Sequence, residues 1–330
     1  MYAVFSFFLS IHMLFVTLAG QLLPAKQVPA GEKAELPLYG GCDPWVIARD
    51  GAFYDCRSVG NGVIVRKADS LAGLASAEGR VVYRAPAGTA YSANYWAPEL
   101  HYLDGAWYIY VAADDGENAN HRMYVLRGDD PLGAFEMVGK ITDDTDRWAI
   151  DGTVLTWENE HYFVWSGWEG DEDGEQNLYI AHMASPVSID SPRVKISTPT
   201  YKWEKRGMGV NEGPVALEKD GALYIVYSAS GSWTDDYCLG MLRFAGGDVL
   251  NAKSWAKCPV AVFTGRETAW APGHCSFVRV EGVDYIVYHA NVDKGTGWNA
   301  RSVRAQPIKW SGKTPVFGKP LPAGSEVELP

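Results

Sequence analysis

The chain has 330 residues, 47% of them hydrophobic, and a formal net charge of −11. Lys and Arg form no basic stripe, so the sequence argues against a nucleic-acid partner, whose phosphates need clustered positive charge. Aromatic residues make up 13% of the chain, and 35 residues are Gly. This composition favours many short strands joined by tight turns, and Trp and Tyr faces suit a neutral sugar polymer.

The first segment, residues 1–20, contains no charged residue. We predict a signal peptide here, cleaved between Ala19 and Ala25, and therefore a secreted, extracellular protein. The alternative is a membrane anchor, because the apolar run is nearly long enough to span a bilayer. No later segment is apolar enough to cross a membrane. No linker or second domain is evident in the sequence, so residues 21–330 are predicted to form one domain.

A hairpin signature, a tight turn followed by an aromatic-rich strand, recurs five times along this domain. The turns are Asp50-Gly51, Asp104-Gly105, Asn159-Glu160, Asp220-Gly221 and Glu281-Gly282. Their even spacing predicts an all-β, five-bladed β-propeller with about four strands per blade. The alternative, a β-sandwich with chance similarity between hairpins, fits the even spacing less well. We expect the C-terminal strands, Arg301 to Trp310 and then Pro315 to Gly318, to close the ring by joining the N-terminal blade.

An ionisable residue precedes each hairpin by six to nine positions. These residues are Asp43, Glu99, Asp151, Glu212 and His274. If each opens the innermost strand of its blade, all five converge on one mouth of the central channel. Carboxylates gathered without a nucleophile-elbow motif point to glycoside hydrolysis, in which one carboxyl protonates the leaving oxygen and another activates water.

The five cysteines allow two disulfides at most, and Cys42–Cys56 and Cys238–Cys258 are the plausible pairs. The sequence has no CxxC and no HExxH motif, so we predict no metal site from the motifs. His289 is expected to be a core histidine. Glu99 is expected to be structural and is kept outside the catalytic set.

The segments GGCDPWVI, YWAPELHYLDGAWYIYVAA, WAIDGTVL, VNEGP, PGHCSF, IVYHA and RSVRAQPIKW occur in this order. Over about residues 38–320 this set resembles glycoside hydrolase family 43. It is most similar to the family's extracellular, exo-acting α-1,5-L-arabinofuranosidases. The resemblance implies a five-bladed propeller that inverts the anomeric centre and acts on plant cell-wall arabinan or arabino-oligosaccharides.

Carried over by position, the resemblance implies that Asp43 is the general base and Glu212 the general acid. Asp151 would orient Glu212 and raise its pKa. Three further residues would bind substrate: Trp96, His274 and Arg301. No cofactor is required, although the family's histidine at the His274 position implies a calcium or other ion there in many members.

Two rival functions stay open at this point. A β-xylosidase would share the same catalytic trio, because arabinose and xylose present similar hydroxyl geometry. A carbohydrate-binding propeller without activity would repeat its ligand site in every blade, whereas the five positions here differ. The protein is expected to act as a monomer.

Overall fold

The computed structural model describes residues 31–330, so the predicted signal peptide lies outside the described residues. The described chain is built from strands, with only short 3₁₀ segments of helix. These segments are Ala72–Ala75, Asn118–Asn120, Lys202–Glu204 and Ala252–Ser254. Within this range, no helix has the length and apolar character needed to cross a membrane.

The strands form five antiparallel sheets arranged as the blades of a propeller, which confirms the predicted fold. Three blades have four consecutive strands each. Blade 1 contains Trp45–Arg49, Ala52–Ser58, Gly62–Ala68 and Gly79–Arg84. Blade 2 contains Ala93–Leu103, Ala106–Asp114, Arg122–Gly128 and Glu136–Lys140. Blade 4 contains Asn211–Lys219, Ala222–Ala229, Cys238–Phe244 and Trp255–Lys257.

The other two blades complete their outer edges differently. Blade 3 contains Ala149–Trp157, Glu160–Gly167 and Asn177–Ser185, and its last strand pairs with both Ser188–Ile189 and Val194–Ser197. Blade 5 contains Trp270–Val280, Val283–Asn291, Arg301–Pro307 and the short strand Tyr39–Gly40. Two small sheets flank the blades: Glu32–Glu35 with Glu326–Leu329, and Lys309–Ser311 with Thr314–Val316.

The chain ends do close the ring, but the prediction of which strand moves was wrong. An N-terminal strand joins the C-terminal blade, and the C-terminal strands do not join the N-terminal blade. Arg301–Pro307 pairs with the preceding strand Val283–Asn291 and so is the third strand of blade 5. Tyr39–Gly40 from the N-terminal side then pairs with its free edge, with Tyr39 opposite Val303. Strands that follow one another along the chain usually pair with each other, which leaves the outer edge for the distant strand.

The hairpin turns explain the sequence repeat. Asp50, Asp104, Asp220 and Glu281 have positive φ angles, and each is followed by a glycine that also has positive φ. Two successive left-handed residues are the geometry of the tight hairpin turn that matches strand twist. In blade 3 the turn residues are Glu158 and Asn159, one position earlier than predicted.

The five cysteines all lie in the described range and all are free thiols, so both predicted disulfides are wrong. Strand register gives the reason. Cys56 lies opposite Trp45, three residues beyond Cys42. Cys258 lies beside Met241, whose carbonyl accepts its N–H, and not beside Cys238.

Candidate active site

In each blade, a residue with left-handed backbone lies near the start of the innermost strand. These residues are Asp43 (φ 48°), Ala97 (42°), Asp151 (55°), Gly213 (52°) and His274 (42°). In blades 2 to 5 the strand register shifts at this point, as in a β-bulge. A bulge re-aims side chains at the end of a strand, and left-handed backbone at residues other than glycine is characteristic of functional sites.

The cavity at this end of the propeller has a volume of about 580 Å³. All six residues predicted for the site line it: Asp43, Trp96, Asp151, Glu212, His274 and Arg301. Tryptophans supply much of the remaining wall, namely Trp148, Trp168, Trp233 and Trp298. Carboxyl groups and aromatic faces therefore share one pocket, a combination suited to a sugar ring.

Asp43 sits among three nitrogen-bearing side chains. Its Oδ1 lies 3.3 Å from Arg301 Nη1, 3.4 Å from His274 Nδ1 and 3.4 Å from His289 Nδ1. Burial alone would raise the pKa of Asp43, but these partners hold the pKa well below its usual range. Asp43 is therefore an ionised carboxylate over the whole neutral range.

Both histidine rings beside this carboxylate are buried. Burial lowers the pKa of both rings, that of His289 to about 4. His289 Nδ1 accepts the backbone N–H of Asp43 at 3.1 Å, which leaves its ring proton on Nε2. Arg301, whose guanidinium is always charged, adds a permanent positive charge beside Asp43.

Glu212 has the opposite protonation tendency. It is buried, and burial raises its pKa to about 7, helped by the negative charge of Asp43. The Tyr237 hydroxyl donates a 2.7 Å hydrogen bond to Glu212 Oε1 and opposes this rise. A carboxyl with a pKa near neutrality can hold a proton and release it, as a general acid must.

Asp151 is linked to Glu212 through the backbone. Its Oδ2 accepts the N–H of Gly213, the residue after Glu212, at 3.0 Å. Burial raises the pKa of Asp151, and the charges of Glu212 and Asp43 raise it further. Because the two buried carboxyls interact, ionisation of either one disfavours ionisation of the other.

Gly213 also packs closely against the His274 ring at the cavity. A Cβ added there would lie 3.2 Å from the His274 ring, and its φ of +52° disfavours any larger residue. Trp96 is 40% exposed and stacks on His121 with ring centroids 3.9 Å apart. One face of Trp96 is therefore supported while the rest of the ring is open to the cavity.

Glu99 does not reach the cavity, so the expectation that all five ionisable residues converge is wrong for blade 2. It is buried, and its Oε2 lies 2.9 Å from His101 Nε2. The left-handed position of blade 2 is Ala97, two residues earlier, and Ala97 lines the cavity in its place. The His101 ring in turn packs against Trp45 of blade 1, with centroids 4.7 Å apart and an interplanar angle of 36°.

Two residues that contact the candidate catalytic carboxyls were not anticipated from the sequence. Tyr237 holds Glu212, and His289, expected to be an ordinary core residue, contacts Asp43. The Tyr237 and His289 rings stack at 5.7 Å with an interplanar angle of 2°. The stacked pair therefore connects the residue that holds Glu212 with the residue that contacts Asp43.

Across residues 31–330, no group of three or more His, Cys, Asp or Glu side chains is arranged to hold a metal ion. His274 faces Asp43 and Asp151 through Nδ1, at 3.4 and 3.9 Å, and these contacts are ion-pair distances. The described residues do not supply a ready ligand set for calcium, so an ion beside His274 stays a prediction.

Residues 39–315 match the model of glycosyl hydrolases family 43. An extracellular exo-α-(1→5)-L-arabinofuranosidase of Streptomyces chartreusis is 37% identical over 69% of this chain and 72% of its own length. α-L-Arabinofuranosidase 43 of Humicola insolens is 36% identical over 86% of this chain, which spans 62% of that protein.

A solved structure, α-L-arabinofuranosidase from Lactobacillus brevis, superposes with a TM-score of 0.82 at 34% identity. The match covers 88% of this chain and 98% of that one. The family model covers most of the chain, and all residues that line the cavity lie within the matched range. This chain belongs to glycosyl hydrolase family 43 and is a glycoside hydrolase.

Proposed function

We propose that the protein is an inverting exo-α-1,5-L-arabinofuranosidase that releases L-arabinofuranose from arabinan or arabino-oligosaccharides. One observation carries this proposal. The cavity presents an ionised carboxylate, Asp43 beside Arg301, together with a carboxyl of pKa about 7, Glu212, on another blade. An inverting glycosidase needs this pair of opposite protonation states.

In the proposed reaction, Asp43 takes a proton from a water molecule, and the water oxygen forms a bond to the anomeric carbon. The bond from that carbon to the leaving oxygen breaks as Glu212 gives its proton to this oxygen. Attack and departure on opposite faces invert the anomeric centre, for which the two carboxyls would stand about 6.5–9.5 Å apart. No cofactor takes part.

Asp151 keeps Glu212 protonated and oriented in this scheme. The Gly213 N–H that it accepts fixes the backbone directly after the acid. Its charge, when present, disfavours ionisation of Glu212. Trp96 offers a ring face to the sugar, and Arg301 and His274 bind sugar hydroxyls near Asp43.

The choice of arabinose as the sugar rests on similarity. The relatives at 36–37% identity and the structure at 34% identity are named arabinofuranosidases. The exo mode and secretion follow the name of the Streptomyces chartreusis enzyme, which describes it as extracellular and exo-acting. We also propose that the protein acts on plant cell-wall polymers and that it works as a monomer.

The test compares an aryl α-L-arabinofuranoside with an aryl β-D-xyloside, using Asp43→Asn as the control for contaminating activity. We expect arabinose release to exceed xylose release greatly. Faster xylose release would replace the proposal with a β-xylosidase. Binding of arabino-oligosaccharides with no release of either sugar would favour a non-catalytic binding propeller.

A further inference from the structure

Two tryptophans at the cavity mouth differ from the others in their exposure. Trp233 and Trp298 are 44% and 56% exposed, whereas Trp148 and Trp168 in the same wall are nearly buried. Trp233 lies in the loop between Ala229 and Cys238 of blade 4, and Trp298 lies in the loop between Asn291 and Arg301 of blade 5. Large exposed aromatic surface at a pocket mouth is a mark of a binding surface.

The two loops hold the tryptophans in a defined arrangement. Trp298 Nε1 donates a 3.0 Å hydrogen bond to Ser232 Oγ. The N–H of Gly295 donates a 2.8 Å hydrogen bond to Asp235 Oδ1. The two indole rings meet edge to face, with centroids 5.9 Å apart and an angle of 82°. The surface is therefore built before any ligand arrives, which reduces the ordering cost of binding.

The ring of Trp233 rests directly on backbone. A Cβ added at Gly231 would lie 2.8 Å from its six-membered ring, and one added at Gly207 would lie 3.2 Å from its Nε1. Side chains at these two positions would displace the indole. Glycine at both positions lets the loop backbone support the ring from below while the ring stays exposed toward the mouth.

The location of this pair relative to Glu212 indicates what it binds. The loop that carries Trp233 continues into Tyr237, whose hydroxyl donates to Glu212. The acid must face the leaving oxygen, so the leaving group lies on the Glu212 side of the cavity. The ring faces are apolar, which suits the apolar face of a neutral sugar ring.

We propose that Trp233 and Trp298 form the binding site for the leaving-group sugar, the unit from which the terminal residue is cleaved. This inference rests on the proposed function and deepens it. The substrate is then a neutral oligosaccharide or polysaccharide chain end whose second sugar stacks on an indole face. The site favours a sugar leaving group over a small one.

The experiment compares Trp298→Ala and Trp233→Ala with the wild-type protein on two substrates. One is arabinotriose, which places a sugar on the pair, and the other is α-L-arabinofuranosyl fluoride, whose leaving group is one atom. The ratio of the two kcat/KM values, arabinotriose over fluoride, should fall about tenfold in each variant, with KM for arabinotriose rising. Trp298→Phe should recover part of the loss.

Tyr102→Ala is the matched control, because Tyr102 is 36% exposed and lies at the hairpin end of its strand, away from the mouth. It should leave the ratio unchanged. Ser232→Ala, which only removes the hydrogen bond to Trp298, should lower the ratio less than Trp298→Ala and serves if an alanine variant fails to fold.

An unchanged ratio in Trp298→Ala and Trp233→Ala would overturn the leaving-group site, and so would equal losses on both substrates. Failure of the proposed function is a different result. In that case the wild-type protein itself would hydrolyse neither arabinosyl substrate.

Discussion

Glu99 in blade 2 and Glu212 in blade 4 are both buried glutamates on innermost strands, yet they face different surroundings. Glu212 directly precedes the left-handed residue of its blade and lines the cavity, with Tyr237 as partner. Glu99 lies two residues beyond the left-handed Ala97 and is enclosed between blades with His101. Their burial is nearly the same, so burial does not separate them. Position relative to the bulge decides which carboxyl can reach a substrate.

The largest expected effect separates the two glutamates by activity. Glu212→Gln should lower kcat on arabinobiose by about 10²–10⁴-fold, because the leaving oxygen loses its proton donor. Glu99→Gln should lower it less than tenfold. An aryl arabinofuranoside with a good leaving group needs little protonation, so Glu212→Gln should lose much less activity on it. Equal losses for Glu99→Gln and Glu212→Gln would contradict the comparison.

The next effect concerns Asp151, which supports the acid from blade 3. Glu212 acts in its protonated form, so its pKa of about 7 sets the basic limb of the activity profile. Asp151→Asn removes a neighbouring negative charge, which lowers the pKa of Glu212 and moves the basic limb to lower pH, by about one unit. Asp43→Asn is the control, since it should abolish turnover on natural and activated substrates alike. A basic limb that stays in place would show that Asp151 does not modulate Glu212.

Tyr237→Phe should move the same limb in the opposite direction. The hydroxyl stabilises the ionised form of Glu212, so its removal raises the pKa of the acid. We expect the basic limb to rise by up to about one pH unit, with the acidic limb unchanged. Profiles of kcat/KM for wild type, Asp151→Asn and Tyr237→Phe test the two signs together. Shifts in the same direction would be incompatible with this assignment.

The smallest effect is on stability and belongs to Glu99. Burial raises the pKa of Glu99 well above its ordinary value of 4.5, so folding favours the protonated form. The stability from this protonated group is fully present below pH 4.5 and declines as the pH rises toward the folded-state pKa. Glu99→Gln removes this dependence. Urea unfolding between pH 5 and 8 should show a flatter slope in the variant, by up to about 1.4 kcal/mol per pH unit. Parallel curves would mean that Glu99 is ionised in the folded protein.

The propeller could be predicted because its signal is local and repeated. Each tight turn needs two left-handed residues, and the Asp-Gly and Glu-Gly steps at four of the five turns mark that geometry in the sequence. The ordered motifs also located six of the residues that line the cavity. Their catalytic roles stay predictions until the mutants are measured.

The features that could not be predicted from the sequence depend on contacts between distant segments. The hydrogen bond from Asp43 N–H to His289 spans 246 residues, and Tyr237 reaches Glu212 across 25. No local pattern encodes such partners. The sense of ring closure and the unpaired cysteines depend in the same way on strand register. Glu99 was misplaced because ordinary strand spacing does not reveal a bulge two residues earlier.

The central claim is that Asp43 acts as the general base and Glu212 as the general acid in one cavity. Water then attacks the anomeric carbon directly. The most direct test is ¹H NMR of the first sugar released from an aryl α-L-arabinofuranoside, recorded before mutarotation. The account predicts that β-L-arabinofuranose forms first, because a single displacement inverts the anomeric centre. Initial formation of the α-anomer would require a covalent intermediate and would contradict it.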